Sequence, residues 1–131
     1  MTELNTAKRP WVGYIITGLP ALFLLMDAVM KFVKPEPVVE TTVGLGYPEH
    51  LIVPLGAILL ISVLLYLIPR TAVLGAVLLT GYLGGAVATH VRVDSPLFSH
   101  TLFPVYLGIL IWFGLYLREP KLRAILKIGS Q

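Results

Sequence analysis

The sequence predicts an all-α membrane protein: four transmembrane helices in an antiparallel bundle, with both termini on the inner side. Three observations carry this. Hydrophobic residues make up 56% of the chain and charged residues 13%, against about 25% charged in an average soluble domain. A soluble fold of 131 residues cannot bury that much apolar surface. Four largely uncharged apolar stretches, at about 11–32, 51–68, 71–90 and 101–117, each approach the ~17–25 residues a helix needs to cross a hydrocarbon core of roughly 30 Å. Finally, the basic residues are unevenly shared between the two sets of loops that these stretches define.

The first stretch opens after Pro10, a residue tolerated at a helix start, and ends at Pro35-Glu36-Pro37. It is not a cleaved leader, because its apolar part is too long and no small-residue cleavage site follows. Loop 33–50 comes next, with room for a short interfacial helix ended by Gly44 or Gly46 ahead of Tyr47-Pro48. Pro69-Arg70 is a tight turn that makes the second and third helices antiparallel neighbours. The fourth helix closes at Arg118-Glu119-Pro120. The whole of 1–131 reads as one domain.

Counting charges orients the bundle. Lys8, Arg9, Arg70, Arg118, Lys121, Arg123 and Lys127 fall on one side; Lys31, Lys34 and Arg92 fall on the other. The positive-inside rule puts the first set, both termini and the Pro69 turn in the cytoplasm of a bacterium, with the protein multi-pass in the inner membrane. Trp11, Tyr14, Tyr66, Trp112 and Tyr116 lie towards the inner ends of helices, as an aromatic belt does. Trp112 is deep enough for core packing to compete. The net charge of +3 is scattered at helix ends, which speaks against a nucleic-acid partner. With no cysteine there are no disulfides and no thiolate metal sites.

The polar residues gather at the outer mouth. Asp27 and Lys31 lie at i, i+4 and share a face. His90 ends the third helix, with Arg92 and Asp94 just beyond. Glu49 and His50 precede the second helix, and His100 the fourth. Tyr82, Ala86 and His90 form a stripe one turn apart, so Tyr82 is available below the mouth. An ionisable residue within a membrane is costly, and Asp27 is a functional candidate for that reason. The plainer readings stand beside these: a helix-end ion pair, an interfacial histidine, an arginine anchoring a loop, and Glu49 and His100 simply solvated. The histidine spacing fits no metal-ligand pattern, so no metal site is expected. Gly81-x-x-x-Gly85 allows close helix approach, either within the bundle, which is the preferred reading, or between copies.

Beyond these local readings, the chain resembles the DoxX-like proteins, small four-helix membrane proteins common in bacteria. The resemblance rests on Asp27-x-x-x-Lys31-Phe32, on Leu45-Gly46-Tyr47-Pro48 and on the run from Ile68 to Ala76. Its most specific stretch is Gly81-Tyr82-Leu83-Gly84-Gly85-Ala86-Val87-Ala88-Thr89-His90-Val91-Arg92, and the ending Leu115–Pro120 also fits. Some relatives are linked by name to a thiosulfate–quinone oxidoreductase, others to responses to quinones or redox stress. The resemblance implies the four-helix topology and directs interest to Lys31, Tyr82, His90 and Arg92. It implies no particular activity.

Three functions follow as expectations. The first is binding of a small lipophilic or quinone-like molecule in an outward-facing pocket formed by Asp27, Lys31, Tyr82, His90 and Arg92. The second is a membrane subunit of a quinone-linked oxidoreductase, or an isomerase of a lipophilic substrate, with His90 transferring a proton. The third is a structural partner or homo-oligomeric scaffold. Membrane lipid is a partner in all three. No bound cofactor is expected apart from a quinone.

Overall fold

A segment that crosses lipid must satisfy its own backbone, so the apolar stretches have only the helix open to them. The computed structural model describes the backbone of residues 2–127 and the side chains of 11–120, 122, 124 and 125. Every regular element among these residues is helical. They are α1 (Thr2–Val33), α2 (Glu36–Gly44), a 3-10 turn at Glu49–Leu51, α3 (Ile52–Leu67), α4 (Ala72–Arg92), a π-type turn at Leu97–Thr101, α5 (Phe103–Arg118) and α6 (Pro120–Lys127). Among the described residues four segments are long and apolar enough to cross a membrane: Trp11–Val33, Glu49–Leu67, Ala72–Arg92 and Leu97–Arg118.

The four long helices form a closed ring: α1 packs on α3 and α5, and α4 packs on the same two. α1 and α4 therefore face each other across the ring. Its core is one continuous cluster that includes Ala21, Leu24 and Ala28 of α1, Leu59 and Val63 of α3, Ala76, Leu79 and Leu83 of α4, and Leu107, Ile111 and Leu115 of α5. The spacings of three, four and seven are those of one helix face. Large aliphatic side chains such as Leu19, Leu22, Ile58, Ile61, Val77 and Ile109 point outwards. Water would penalise that surface; hydrocarbon does not, which leaves close packing to hold the helices together.

Two features of the ring correct the expectations. Tyr66, expected in an aromatic belt, is fully buried. Its hydroxyl donates to the Ile111 carbonyl at 2.6 Å, so the polar tip is satisfied inside the core rather than at a headgroup. The Gly81–Gly85 spacing, expected to pack within the bundle, does not. A Cβ placed at Gly81, Gly84 or Gly85 would meet nothing within 4 Å. The close approach is made instead by Gly75, where an added Cβ would collide with the backbone of Tyr66 across the Pro69 turn. Gly81 lies well round the helix from Ala76 and Leu83, which face the core.

The helix ends also differ. α1 continues back through Pro10 to Thr2. Glu119-Pro120 ends one helix but also begins α6, because proline suits a first helical position as well as it stops a preceding helix. The cytoplasmic count leans on Lys8, Arg9, Lys121, Arg123 and Lys127, whose side chains lie outside the described residues.

Candidate functional site

The polar residues that the sequence gathers at one mouth of the bundle are carried by α1, α4 and the chain between α2 and α3. On α1, Lys31 Nζ lies 2.9 Å from Asp27 Oδ1. The lysine side chain is the more enclosed, 12% exposed against 38% for the aspartate. The stem of Lys31 is held by α3. A Cβ at Gly56 would sit 2.8 Å from Lys31 Cβ and 3.2 Å from the Ala28 carbonyl, so the helices cross where glycine leaves room for the lysine.

From across the ring, Tyr82 of α4 packs against the core cluster. Its hydroxyl is within electrostatic reach of Asp27 and Tyr47. Tyr47 in turn reaches α4: its hydroxyl is 2.7 Å from Thr89 Oγ1. Thr89 already donates to the Gly85 carbonyl at 2.8 Å, so Tyr47 is the donor in the pair. The structure thus brings together Asp27, Lys31 and Tyr82, and adds Tyr47 and Thr89, which the sequence reading did not single out as site residues.

His90 and Arg92 are used differently. His90 Nδ1 pairs with Ser95 Oγ at 2.9 Å, and its ring meets the edge of His100 with centroids 6.0 Å apart. No hydrogen bond or ion pair joins it to Asp27 among the described residues. The reason is helix periodicity. Each residue turns the helix by about 100°, so His90 is rotated about 80° from Tyr82, whereas Thr89 is within about 20° of it. The stripe drawn through Tyr82, Ala86 and His90 drifts off the face; the one through Tyr82 and Thr89 stays on it.

Arg92 donates through Nη2 to the Leu45 carbonyl at 2.7 Å, and the guanidinium lies against Gly46. Gly46 has φ +100°, a conformation open to glycine, and a Cβ there would run into Arg92. This is the loop-anchoring role. Lys34 Nζ stands 3.9 Å from Glu49 Oε1 at the base of the same segment. Glu49, His50 and His100 are exposed. Among the described residues no three of His, Asp and Glu come together as metal ligands would.

A cavity of about 380 Å³ opens elsewhere, on the outer side of the bundle between α4 and α5. Thr80, Leu83, Gly84, Val87, Gly108 and Trp112 contribute to its lining, and none of the five expected site residues does. Trp112 Nε1 donates to Thr80 Oγ1 at 2.7 Å, and Thr80 donates to the Ala76 carbonyl. Those polar groups serve each other, so the groove offers an entering molecule hydrocarbon contact.

The decisive comparison is with family models. The model of the DoxX-like family matches residues 15–114. The chain belongs to the DoxX-like family. The matched region holds the greater part of all four apolar helices and every residue of the polar cluster, and it ends before α6. With its four helices apolar enough to span, this family member is a multi-pass membrane protein. No curated protein and no solved structure matches the chain.

Proposed function

We propose that this DoxX-like protein binds a small amphipathic molecule, quinone-like in shape, at the polar end of the bundle. In this reading the helices run alternately up and down through a bacterial inner membrane. The termini and the Pro69 turn face the cytoplasm, and the polar end faces out. The orientation is supported by the excess of Lys and Arg near the termini and the Pro69 turn. Lys31 and Lys34, on the opposite side, have carboxylate partners, and Arg92 donates to a backbone carbonyl.

The observation that carries the binding reading is the Asp27–Lys31 pair, with a largely enclosed lysine at the end of an apolar span and Tyr82 facing it from the opposite helix. A charged pair in such a setting is a functional candidate by default. Lys31 and Tyr82 can donate to a carbonyl while the core side chains around Leu24 and Leu83 receive a ring. Arg92 is assigned to the loop, and His90 to its pairing with Ser95.

Thermal unfolding in detergent tests this. Short-tailed benzoquinones or naphthoquinones should raise the Tm of the wild type and raise that of Tyr82→Phe and Lys31→Met much less. Equal shifts in all three proteins, or no shift in any, defeat the reading.

A second reading, a homo-oligomer or a partner of another membrane protein, is favoured by one observation: the open glycine face of Gly81, Gly84 and Gly85 on α4. Gly81→Leu should then lower the oligomeric mass in mild detergent without lowering Tm.

A further inference from the structure

We infer that the segment 34–48, α2 with its flanking turns, is a hinged lid over the Asp27–Lys31–Tyr82 cluster, latched to the end of α4 by Arg92 and Thr89. What the lid covers rests on reading the cluster as a ligand site; its movement does not.

The segment is built to move as a unit. It leaves α1 through a residue in the left-handed region, Lys34 at φ 58°. Few-residue hinges that absorb a large backbone rotation are how lids move. Beyond Lys34, α2 is a helix whose main packing partner is the Glu49–Leu51 turn, rather than any of the four long helices. Its one buried residue is Thr42, whose hydroxyl bonds to Val38 within the same helix and so ties nothing to the bundle. The Lys34–Glu49 pair at 3.9 Å, with its glutamate exposed, joins the two ends of the segment to each other and not to the bundle's α4.

Two contacts fasten the turn that follows α2 to the end of α4. Arg92 Nη2 holds the Leu45 carbonyl at 2.7 Å, and the Tyr47 hydroxyl holds Thr89 Oγ1 at 2.7 Å. Both acceptor and donor on α4 are three residues apart, hence on one face of its last turns. Thr89 lies within about 20° of Tyr82 around α4, so the latch is on the helix face that carries the cluster's tyrosine. A segment with little apolar burial, held by a pair of hydrogen bonds, belongs to the low-stability end of a structure.

The chain has no cysteine, so Tyr82→Cys places a single thiol beneath the lid. The rate at which a charged, water-soluble maleimide labels it in the purified full-length protein reads lid opening, with no ligand present. Removing one latch contact should raise that rate about five- to tenfold, in Arg92→Ala and separately in Tyr47→Phe. Arg92→Lys, which keeps a donor, should raise it less. Arg70→Ala, at the other end of the bundle, should leave it unchanged. Equal rates in all backgrounds overturn the lid, as does a rise in Arg70→Ala matching that in Arg92→Ala. If Arg92→Ala does not fold, Tyr47→Phe, which removes one hydroxyl, decides the question. A lid that opens in this assay while quinones fail to shift Tm would sink the ligand reading alone.

Discussion

Arg118 and Tyr66 are joined twice: the Arg118 Nη2 donates to the Tyr66 backbone carbonyl at 2.6 Å, and the guanidinium carbon lies 4.7 Å from the centroid of the Tyr66 ring. The two contacts solve one problem. α3 stops at Leu67 ahead of Pro69, so its last carbonyls lack helical donors. Arg118, at the end of α5, caps one of them and stacks its planar cation on the ring below. The Tyr66 hydroxyl then reaches back to Ile111 on the same α5, so α3 and α5, which are diagonal in the ring, are tied through one side chain.

Tyr66→Phe should therefore cost about 1 kcal/mol, the usual net worth of one intramolecular hydrogen bond. Tyr66→Ala should cost about 3–5 kcal/mol, as for a large aromatic removed from a packed core. Tyr66→Ala removes the ring and keeps the carbonyl, so Arg118→Ala and Tyr66→Ala should be non-additive in the double variant through the stacked cation alone. Reversible unfolding in mixed micelles measures all three. Simple additivity would show that the stacking of Arg118 on the ring carries no coupling energy.

The glycines of α4 should behave as two classes. At Gly75 an added methyl meets rigid backbone of α3, which cannot swing aside. Gly75→Ala should lower stability by about 1–3 kcal/mol, as overpacking does. At Gly81 the same methyl meets open space, and alanine is the better helix former by about 1 kcal/mol. Gly81→Ala should leave Tm unchanged or raise it. A matched loss at both positions would mean that the Gly81 face is packed against something in the purified protein.

These contrasts show what the sequence made legible. The four spans were readable because lipid demands long uncharged helices, and Pro35, Pro69 and Pro120 punctuate them. The face each helix turns inward was not. In a soluble helix polar residues mark the outside, but Val77 and Leu79 point to opposite surroundings with the same chemistry. Hence hydropathy alone puts the Gly81–Gly85 spacing inside the bundle and Tyr66 at its rim, and packing reverses both. α6 is hidden because Pro120 both stops one helix and starts the next. At the site, Asp27 and Lys31 were readable from i, i+4 spacing, which is local. The partner of Thr89 was not, since Tyr47 lies 42 positions away. The four-residue stripe that chose His90 fails because helical steps of four accumulate rotation.

The Asp27–Lys31 pair yields an ordered set of stabilities. The lysine is the more enclosed of the two charges, 12% exposed against 38%. Asp27→Leu orphans an enclosed ammonium, whereas Lys31→Met orphans a carboxylate with better access to solvent. The first should be the more damaging, by about 1–2 kcal/mol, since the penalty of breaking a pair is chiefly the charge left behind. Asp27→Asn keeps an acceptor for Lys31 and should fall between the wild type and Asp27→Leu. The double variant Asp27→Leu/Lys31→Met removes both charges and should recover part of the loss of either single change, because two apolar side chains of similar size replace a pair that is expensive to desolvate. Unfolding curves for the four proteins, at low and high salt, decide it. A double variant less stable than Asp27→Leu would mean that the pair stabilises the bundle beyond offsetting its own desolvation, and would turn the case for Asp27 from function towards structure.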